Sequence, residues 1–515
     1  MTSDLNSNGG LIRGLGLTAA IAIILGNVIG TGVFLKARVM TCNVGSPGWV
    51  MAAWIFAGFL SLAGALTYAE LTAMKPKAGG EYVFLRDAFG KIPSFLYGWM
   101  QIFIAKTGSQ AAVAVVFAIG LNDFLDGALK RVLVRLNVFT DPFSVNSLIT
   151  LSDAQEASLL FSYELTTLQI VAVMMIVIFT TLNCAHVSFS GQIAKALTVV
   201  KIGLIAMVAL GGFFFVVGSD FSHFTMLSDG GTCEGVAEGV KYGSAQYSFL
   251  AGFAAAMLGA LWGYDGWNNL TLVAGEVQNP KKNLPIALIG GTALIMVLYV
   301  IIHIAYFYVL DPTAVASVSS DSSVAKVVVE RFFSGDIKSF ATGFAVSLFT
   351  VGLMISSIGT LHTSILSGAR VPYAMARDGL MFRSFGRLSA TRVPVAALMF
   401  QGIWACLLAI SGSFDTLTDY VIFGSWIFYA LVTASVFVFR RKFPDAERPY
   451  RAWGYPVVPV LFIIVAGWLL INTVISNPQN SIVGLVLIAL GLPVYYYLTN
   501  RKQSVSKDQN GGDER

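Results

Sequence analysis

Two glycine-containing segments, each inside a long apolar run, carry the residues best suited to bind a small polar molecule. The first is Gly26–Phe34, which has glycine at positions 26, 30 and 32. The second is Gly263–Asn268, in which two glycines flank Asp265. Glycine weakens a helix by about 1 kcal/mol relative to alanine, and an acid is costly in hydrocarbon. We therefore predict that the helix is interrupted at both places.

An interrupted helix leaves backbone groups without helical partners, and these groups could bind the two charges of an amino acid zwitterion. The N–H groups freed after the first interruption, which suit a carboxylate, are those of Thr31, Gly32 and Val33. The C=O groups freed before the second, which suit an ammonium, are those of Leu261, Trp262 and Gly263. Alternatively, the glycines only allow close helix packing.

The predicted substrate-binding set combines both interruptions. It consists of Val28, Ile29, Gly30, Thr31, Gly32, Val33, Leu261, Trp262, Gly263, Tyr264 and Asp265. Asp265 has three interpretations from the sequence: it caps the following half-helix, binds a proton, or contacts the amine of the substrate.

Lys201 lies among apolar neighbours inside another such run. A buried lysine needs a partner or loses its proton. Hydroxyl residues in the run 340–366 have a spacing that places them near one helix face. These hydroxyls, among them those of Ser356 and Thr360, suit the ammonium of Lys201.

The composition indicates a membrane protein. Of 515 residues, 56% are hydrophobic and 12% are charged, whereas soluble domains carry about 25% charged residues. The apolar stretches are long continuous runs rather than short alternating ones, which excludes a β-barrel. The sequence therefore predicts an all-α polytopic protein embedded in a lipid bilayer. The net charge of +5 does not indicate nucleic acid binding, because the basic residues lie mostly in loops.

Twelve runs are long enough to be transmembrane helices. They cover about 16–36, 48–69, 93–124, 168–186, 194–217, 249–277, 284–310, 340–366, 393–410, 417–439, 457–475 and 481–498. The two interruptions fall in runs one and six, and a second copy of a five-helix unit enters the membrane in the opposite orientation. We predict a five-plus-five inverted repeat followed by two C-terminal helices.

The loops predict the orientation. With both termini in the cytoplasm, 22 Lys and Arg residues fall in inner loops and 9 in outer loops, which is the asymmetry of the positive-inside rule. The predicted regions are a cytoplasmic tail (1–12), the first repeat (13–217), the second repeat (218–440), a cytoplasmic loop with helices eleven and twelve (441–498) and a cytoplasmic tail (499–515). The predicted location is the plasma membrane, or the cell inner membrane in a bacterium.

The four cysteines show no metal-ligand spacing. Cys42 and Cys233 both fall in predicted outer loops, so the sequence leaves a disulfide between them open. Cys184 and Cys406 lie inside apolar runs and are predicted packing residues. No metal and no cofactor are expected.

Several motifs occur together in this chain. Residues 26–34 read GNVIGTGVF and are similar to G-x-I-I-G-[ST]-G-I-F, and residues 64–71 read GALTYAEL, similar to G-A-L-x-Y-A-E-L. Residues 79–82 (GGEY), 267–268 (WN) and 283–285 (NLP) match further parts of the same pattern. In this combination the chain resembles the amino acid–polyamine–organocation superfamily, especially its L-type amino acid transporter-like branch, over roughly residues 12–440.

The resemblance implies a leucine-transporter-like fold, in which helices 1, 2, 6 and 7 move against helices 3, 4, 8 and 9. It implies that Lys201 occupies the place of the sodium ion of sodium-coupled relatives, bridging helices 1 and 8 with Ser356 and Thr360 as partners, and hence sodium independence. The alternative is a structural lysine that bridges helices without a role in transport, and both interpretations predict contact with the first apolar run. It also implies that Trp262 closes over bound substrate from outside, and the bulk of this residue favours small or medium neutral substrates.

The chain departs from this branch in two respects. Heteromeric members carry a cysteine in the loop between helices three and four that tethers a glycoprotein subunit. The loop 125–167 has no cysteine, so no disulfide-linked heavy subunit is expected. Those members also tend to have glycine where this chain has Asp265, which leaves the identity of the substrate open.

The leading hypothesis is a sodium-independent secondary active transporter or exchanger of neutral L-amino acids that works by alternating access. A second is a proton-coupled permease of cationic amino acids or polyamines, for which Asp265 is the only evident acid. A receptor that binds without moving its substrate is a third. HExxH, GxSxG and GxxxxGK[ST] are absent from the sequence, so an enzyme with catalytic residues is not expected.

Overall fold

The computed structural model describes residues 13–77, 79–125, 127–139, 159–185, 190–320, 322–333, 339–390, 393–411, 414–476 and 478–510. The predicted N-terminal tail, 1–12, lies outside the described residues. So do the last five residues of the predicted C-terminal tail and part of the predicted outer loop 125–167.

The described chain is mainly helical. In chain order its helices are α1 (Leu17–Val28), α2 (Gly32–Val44), α3 (Pro47–Met74), α4 (Glu81–Phe89), α5 (Lys91–Met100), α6 (Lys106–Phe124), α7 (Thr167–Ala185), α8 (Ser190–Phe214), α9 (Phe249–Tyr264), α10 (Pro280–Val309), α11 (Pro312–Ala316), α12 (Val324–Glu330), α13 (Phe340–Gly368), α14 (Arg370–Arg377), α15 (Val395–Ser411), α16 (Phe414–Lys442), α17 (Val457–Ser476), α18 (Pro478–Ala489) and α19 (Gly491–Asn510). A π-helical segment, Gln101–Ala105, joins α5 to α6, and 3-10 segments cover Phe221–Thr225, Glu238–Val240, Trp267–Glu276 and Arg383–Gly386.

Ten segments of the described chain are long and apolar enough to cross a membrane. They are Leu17–Val44, Pro47–Met74, Lys91–Phe124, Thr167–Cys184, Ala196–Phe214, Pro280–Val309, Phe340–Arg377, Val421–Lys442, Val457–Ile475 and Ser481–Asn500. The two other predicted spans correspond to α9, which has 16 residues, and α15, which has 17. Large apolar side chains such as Phe56, Phe344 and Ile475 are exposed on the outer surface, as in a protein surrounded by lipid. The chain is a multi-pass membrane protein.

Both predicted interruptions are present. Helix α1 ends at Val28 and α2 begins at Gly32, so three residues separate the two halves of the first span. Helix α9 ends at Tyr264, Asp265 is extended, and the chain then continues as the 3-10 segment Trp267–Glu276. Gly266 lies between them at φ 105°, a left-handed conformation that glycine adopts without steric cost.

The two interruptions also pack on each other through glycine. A Cβ atom on Gly32 would lie 2.8 Å from the Cα of Gly263 and 2.9 Å from Cδ1 of Trp262. A Cβ on Gly263 would in turn lie 2.4 Å from the Trp54 ring. Unwinding and close packing, which the sequence presented as alternatives, therefore occur together.

The predicted end of the first span at residue 36 was wrong. Helix α2 continues to Val44, so Lys36, Arg38 and Cys42 lie within it rather than in an outer loop, and all three are buried. The two cations are tolerated there because distant segments supply acceptors. Lys36 Nζ donates to Thr418 Oγ1 at 2.8 Å, and Arg38 Nη1 donates to the carbonyl of Glu234 at 3.2 Å.

The prediction of an all-α chain was wrong in one loop. Strands β1 (Val132–Phe139) and β2 (Leu159–Thr166) pair in antiparallel fashion within the region predicted as the loop 125–167. Val132 pairs with Thr166 and Phe139 with Leu159. The strand pair therefore lies between α6 and α7 along the chain.

A disulfide that the sequence left open is formed. Cys42 of α2 is bonded to Cys233 in the segment that precedes α9, 191 residues further along the chain. Both side chains are buried beside Ala316. The bond ties the second half of the first span to the segment that leads into the second interruption.

Replacing Cys42 with serine is expected to lower the melting temperature, because the bond closes a long loop and restricts the unfolded chain. Removal of a disulfide costs about 2–4 kcal/mol. Thermal melting of the purified protein in detergent, with and without reductant, measures the change. The matched control is Cys406→Ser, since Cys406 is a free cysteine. Equal melting of the Cys42 variant and the wild type would contradict a stabilising role for the bond.

Candidate substrate site between the interrupted helices

A cavity lies where the two interruptions meet α6, α13 and α16. The predicted residues that line it are Val28, Gly30, Thr31, Gly32, Trp262, Asp265 and Thr360. The predicted residues that do not line it are Ile29, Val33, Lys201, Leu261, Gly263, Tyr264 and Ser356. The volume of the cavity is about 30 Å³, and one water needs about 10–15 Å³. The cavity therefore has room for one or more waters between the two interruptions.

The first interruption offers free donors. Among the described residues, the N–H groups of Gly30, Thr31, Gly32 and Val33 have no hydrogen-bond acceptor, whereas that of Ile29 donates to the carbonyl of Leu25 at 2.8 Å. Three of these four N–H groups belong to residues that line the cavity. Donors at the start of a helix, where the helix dipole is positive, are suited to a carboxylate.

The carbonyls of the second interruption are less available than predicted. The carbonyl of Trp262 accepts from the N–H of Asp265 at 3.1 Å, and that of Gly263 lies 2.9 Å from the hydroxyl of Tyr299. The Tyr299 hydroxyl also lies 2.8 Å from the carbonyl of Val28. The turn and the neighbouring helix α10 thus use two of the three carbonyls that we expected to be free.

Tyr299 is a residue that the sequence analysis missed. It is fully buried in α10, and its hydroxyl reaches one carbonyl at each interruption. A tyrosine inside an apolar run is the only local signal, and this signal does not say which backbone groups the hydroxyl reaches.

Lys201 joins three helices. Its side chain is completely buried, and Nζ donates to the carbonyl of Gly26 in α1 at 2.5 Å and to Thr360 Oγ1 in α13 at 2.6 Å. The predicted contact with the first span is therefore present. Ser356 was predicted as a second hydroxyl partner, but its Oγ has no partner among the described residues. One helical turn separates it from Thr360, and Lys201 reaches only the latter.

Polar side chains from α6, α16 and the 3-10 segment Trp267–Glu276 surround the second interruption. Asp265 Oδ1 accepts from the hydroxyl of Tyr429 at 2.8 Å, and that hydroxyl lies 3.3 Å from Asn268 Oδ1. Lys106 of α6 donates to Asn269 Oδ1 and lines the cavity together with Asp265. The π-helical segment Gln101–Ala105 immediately precedes Lys106, and such segments are frequent at functional sites.

The buried carboxylate of Glu81, which lies outside the membrane spans, also contacts the residues after the second interruption. Glu81 of α4 accepts from Asn268 through Oε1 and from Thr271 and Tyr97 through Oε2, each of the latter at 3.0 Å. Burial raises the pKa of the Glu81 carboxyl above its ordinary value, although the hydrogen bonds from Asn268 and Thr271 oppose the shift. The 3-10 segment that follows the second interruption is thereby attached to α4.

Backbone hydrogen bonds join the segment before α1 to the end of the 3-10 segment Trp267–Glu276 and the residues after it. The N–H of Leu15 donates to the carbonyl of Glu276 at 3.0 Å, and the N–H of Gln278 donates to the carbonyl of Leu15 at 2.8 Å. The carboxylate of Glu276 accepts from Arg370 Nη2 at 3.0 Å. The segment before α1 is thus fixed to the end of the sixth span.

The described residues contain no group of three or more His, Cys, Asp or Glu side chains placed to hold a metal ion.

A buried ion pair lies at the end of α3. The Glu70 carboxylate accepts from Arg440 Nε at 3.0 Å, from Arg440 Nη2 at 2.7 Å and from the N–H of Ala452 at 2.7 Å. These bonds attach α3 to α16 and to the segment that precedes α17.

The chain is similar to known amino acid permeases and transporters. The profile described as amino acid permease matches residues 15–495. The chain is 28% identical over 490 residues to the b(0,+)-type amino acid transporter 1 of Mus musculus, and the matched region covers 95% of this chain and 88% of the relative. It is 27% identical over 501 residues to the serine/threonine exchanger SteT of Bacillus subtilis (strain 168), covering 96% and 99%. It is 27% identical over 497 residues to the large neutral amino acids transporter small subunit 2 of Homo sapiens, covering 96% and 82%.

Proposed function

The chain belongs to the amino acid permease family, and on that premise we propose that it is a sodium-independent secondary active transporter or exchanger of neutral L-amino acids. The observation that carries the proposal is three N–H groups at the first interruption, those of Gly30, Thr31 and Gly32, which have no acceptor among the described residues and belong to residues that line the cavity. The α-carboxylate of an amino acid is the group that these donors suit.

Lys201 supports sodium independence. Its ammonium already supplies a positive charge between Gly26 of the first interrupted helix and Thr360 of α13. A sodium ion at that point would compete with a covalently held cation. Transport by this chain therefore needs no sodium gradient.

The names of the relatives support the substrate class. One is an exchanger of serine and threonine and another a transporter of large neutral amino acids. The alternative, a proton-coupled permease of cationic amino acids or polyamines, would use Asp265 as the acid that binds the substrate cation. Lys106 lines the same cavity, and this second charge favours neutral substrates.

Transport in this proposal is alternating access around the cavity. The contacts of Leu15 with Glu276 and Gln278 close one end of the broken helices, and they must separate before the substrate can leave on that side. No step requires covalent chemistry, so the protein acts as a transporter and not as an enzyme.

The proposal includes the finer architecture. We propose twelve transmembrane helices: an inverted repeat over 13–217 and 218–440, followed by two further helices within 441–498. Both termini lie in the cytoplasm. The membrane is the plasma membrane, or the inner membrane of a bacterium. We also propose that no heavy subunit is attached by a disulfide, since Cys42 and Cys233 are bonded to each other and Cys184 and Cys406 lie in helices α7 and α15.

Exchange assays in proteoliposomes test the function. Uptake of one labelled neutral amino acid is measured with and without sodium, with and without a proton gradient, and in competition with all twenty amino acids. We expect neutral amino acids to compete, and uptake to persist without sodium and after collapse of the proton gradient. Uptake that requires sodium, or stabilisation by an amino acid without any exchange, would contradict the proposal.

A further inference from the structure

We propose that a groove between α8 and α13 binds one acyl chain of a membrane phospholipid, and that Arg331 binds the phosphate of the same lipid. The groove is lined by the end of α8, the start of α13, and Phe332 and Phe333 from the segment that follows α12. Its volume is about 520 Å³, and it shares no residue with the cavity between the two interruptions. Lipid binding in this groove is thus separate from the proposed transport of amino acids.

The groove lies where α8 and α13 no longer pack directly on each other. A Cβ on Gly352 of α13 would lie 2.5 Å from Leu204 Cδ2 of α8, so the two helices are in close contact at that level. Two turns nearer the end of α8, a Cβ on Gly211 would instead lie 2.1 Å from the ring of Phe332. The Phe332 ring therefore packs on α8 at the level where the groove opens.

The wall of the groove is made of small residues and aromatic rings. Every residue that lines it is apolar, and those from α8 and α13 include one glycine and three alanines. The rings of Phe215 and Phe333 stack with centroids 5.2 Å apart, and those of Phe340 and Phe344 stack at 6.2 Å. A wall without hydrogen-bonding side chains suits a hydrocarbon chain and disfavours a polar ligand.

One of these rings is held in place by a strained backbone. Phe333 has φ 62°, a left-handed conformation that is rare for a bulky residue. Its N–H donates to the carbonyl of Phe215 at 2.7 Å, and its side chain is 40% exposed. Strained residues persist where neighbours fix them, and they are concentrated at ligand-binding sites. Here the strain places an aromatic ring on the wall of the groove rather than in the core.

The length of the groove corresponds to one leaflet of a bilayer. On α8 the lining residues begin at Ala206, and the helix ends at Phe214. On α13 they extend from Phe340, its first residue, to Leu348. Each stretch is about 12 Å long by helix rise, and half of a hydrocarbon core is about 15 Å thick. The groove thus extends from the ends of two spans towards the middle of the membrane, as an acyl chain does.

A cation lies next to the groove on the side of the helix ends. Arg331 immediately precedes Phe332 and Phe333, and it is exposed. Among the ion pairs of the described residues, the neighbouring acid Glu330 contacts Lys326, at 3.9 Å, and Arg331 takes part in none. A guanidinium binds two phosphate oxygens at once, and basic residues near the membrane surface attract lipid headgroups. The apolar groove and the adjacent cation together match the two parts of a phospholipid.

Photocrosslinking in nanodiscs tests this site. The full-length protein is reconstituted in phosphatidylglycerol that contains a small fraction of phosphatidylglycerol with a diazirine in one acyl chain, and labelled residues are located by mass spectrometry. Ala341→Phe places a ring in the groove at an exposed position. Arg331→Ala removes the cation, and Arg331→Lys keeps it. The matched control is Gly467→Phe in α17, where a new Cβ would meet no atom within 4 Å.

The measured quantity is the labelling of the groove relative to that of α17 around Ile464, which is exposed on the outer surface. In the wild type we expect a ratio of about ten, the preference that roughly 1.4 kcal/mol produces. Ala341→Phe should bring the ratio close to one, and Arg331→Ala should lower it about threefold, as expected for one exposed ion pair. Arg331→Lys and Gly467→Phe should label as the wild type does.

Equal labelling of the groove and of α17 in the wild type would overturn the inference. So would a ratio that stays at the wild-type value in both Ala341→Phe and Arg331→Ala. Displacement of the probe from the groove by an equal amount of cholesterol would overturn it as well, because the groove would then bind a sterol. Melting temperatures identify any variant that fails to fold. Amino acid exchange is not part of the measurement, so each of these results leaves the proposed function intact.

Discussion

Replacing Lys201 with alanine is expected to reduce amino acid exchange to the background of empty proteoliposomes. The ammonium donates to the carbonyl of Gly26, immediately before the first interruption, and to Thr360 Oγ1. Its removal leaves a buried carbonyl without its donor and a void between α1, α8 and α13. An unsatisfied buried polar group costs about 1–3 kcal/mol, and the void adds to this cost.

The loss should affect transport more than folding, because the missing charge lies beside the segment that is proposed to bind the substrate. Lys201→Met separates charge from volume, since methionine refills most of the void without restoring the ammonium, and we expect it to be equally inactive. The matched control is Lys281→Ala, because Lys281 is an exposed lysine that pairs with Glu447. Initial rates of exchange are measured together with melting temperatures. A normal rate in Lys201→Ala would end the proposed role of this residue.

Gly32→Ala is expected to lower the exchange rate at least tenfold and to destabilise the protein. A Cβ at this position would lie 2.8 Å from the Cα of Gly263 and 3.1 Å from its backbone nitrogen. The obstacle is thus the backbone of the second interruption, which cannot rotate away as a side chain can. Overpacking of this kind costs about 1–3 kcal/mol, and here it would also force apart the two segments that form the candidate site.

The control for this experiment is Gly290→Ala in α10, where a new Cβ would meet no atom within 4 Å. Alanine is favoured over glycine in a helix by about 1 kcal/mol, so this variant should melt at or above the wild-type temperature and retain exchange. Exchange rate and melting temperature are again the measurements. If Gly32→Ala behaves like Gly290→Ala, the contact between the two interruptions is not required for transport.

The sequence was sufficient for features that depend on local chemistry. The two interruptions follow from glycines within a few residues of one another, and the membrane class follows from the long apolar runs. The contact of Lys201 with the first span was predicted from the resemblance to the superfamily, because a buried ammonium needs an acceptor but its own run does not show which helix supplies it.

The errors concern residues whose environment comes from distant parts of the chain. Lys36 and Arg38 were counted among the nine outer-loop cations, but they lie inside α2, where Thr418 and the carbonyl of Glu234, 382 and 196 residues away, accept their hydrogen bonds. Ser356 lies on the predicted helix, yet Lys201 donates only to the hydroxyl one helical turn further along, that of Thr360.

Contacts between side chains of different spans were likewise beyond the sequence. Lys106 carried no local sign that it would meet Asn269, which is 163 residues away. Nothing in the run 284–310 showed that the Tyr299 hydroxyl would reach the backbone of two other helices. Such contacts depend on how the helices cross, and this is set by the packing of the whole bundle.

The hydroxyl of Tyr299 has one hydrogen, but two carbonyl oxygens lie within its reach, those of Val28 and Gly263. At any instant only one of them can receive that hydrogen. The other is left short of a donor, and an arriving amine could supply it. Rotation about the C–O bond of Tyr299 would then move its hydrogen bond from one carbonyl to the other, so that binding of the amine and reorientation of this hydroxyl would occur together.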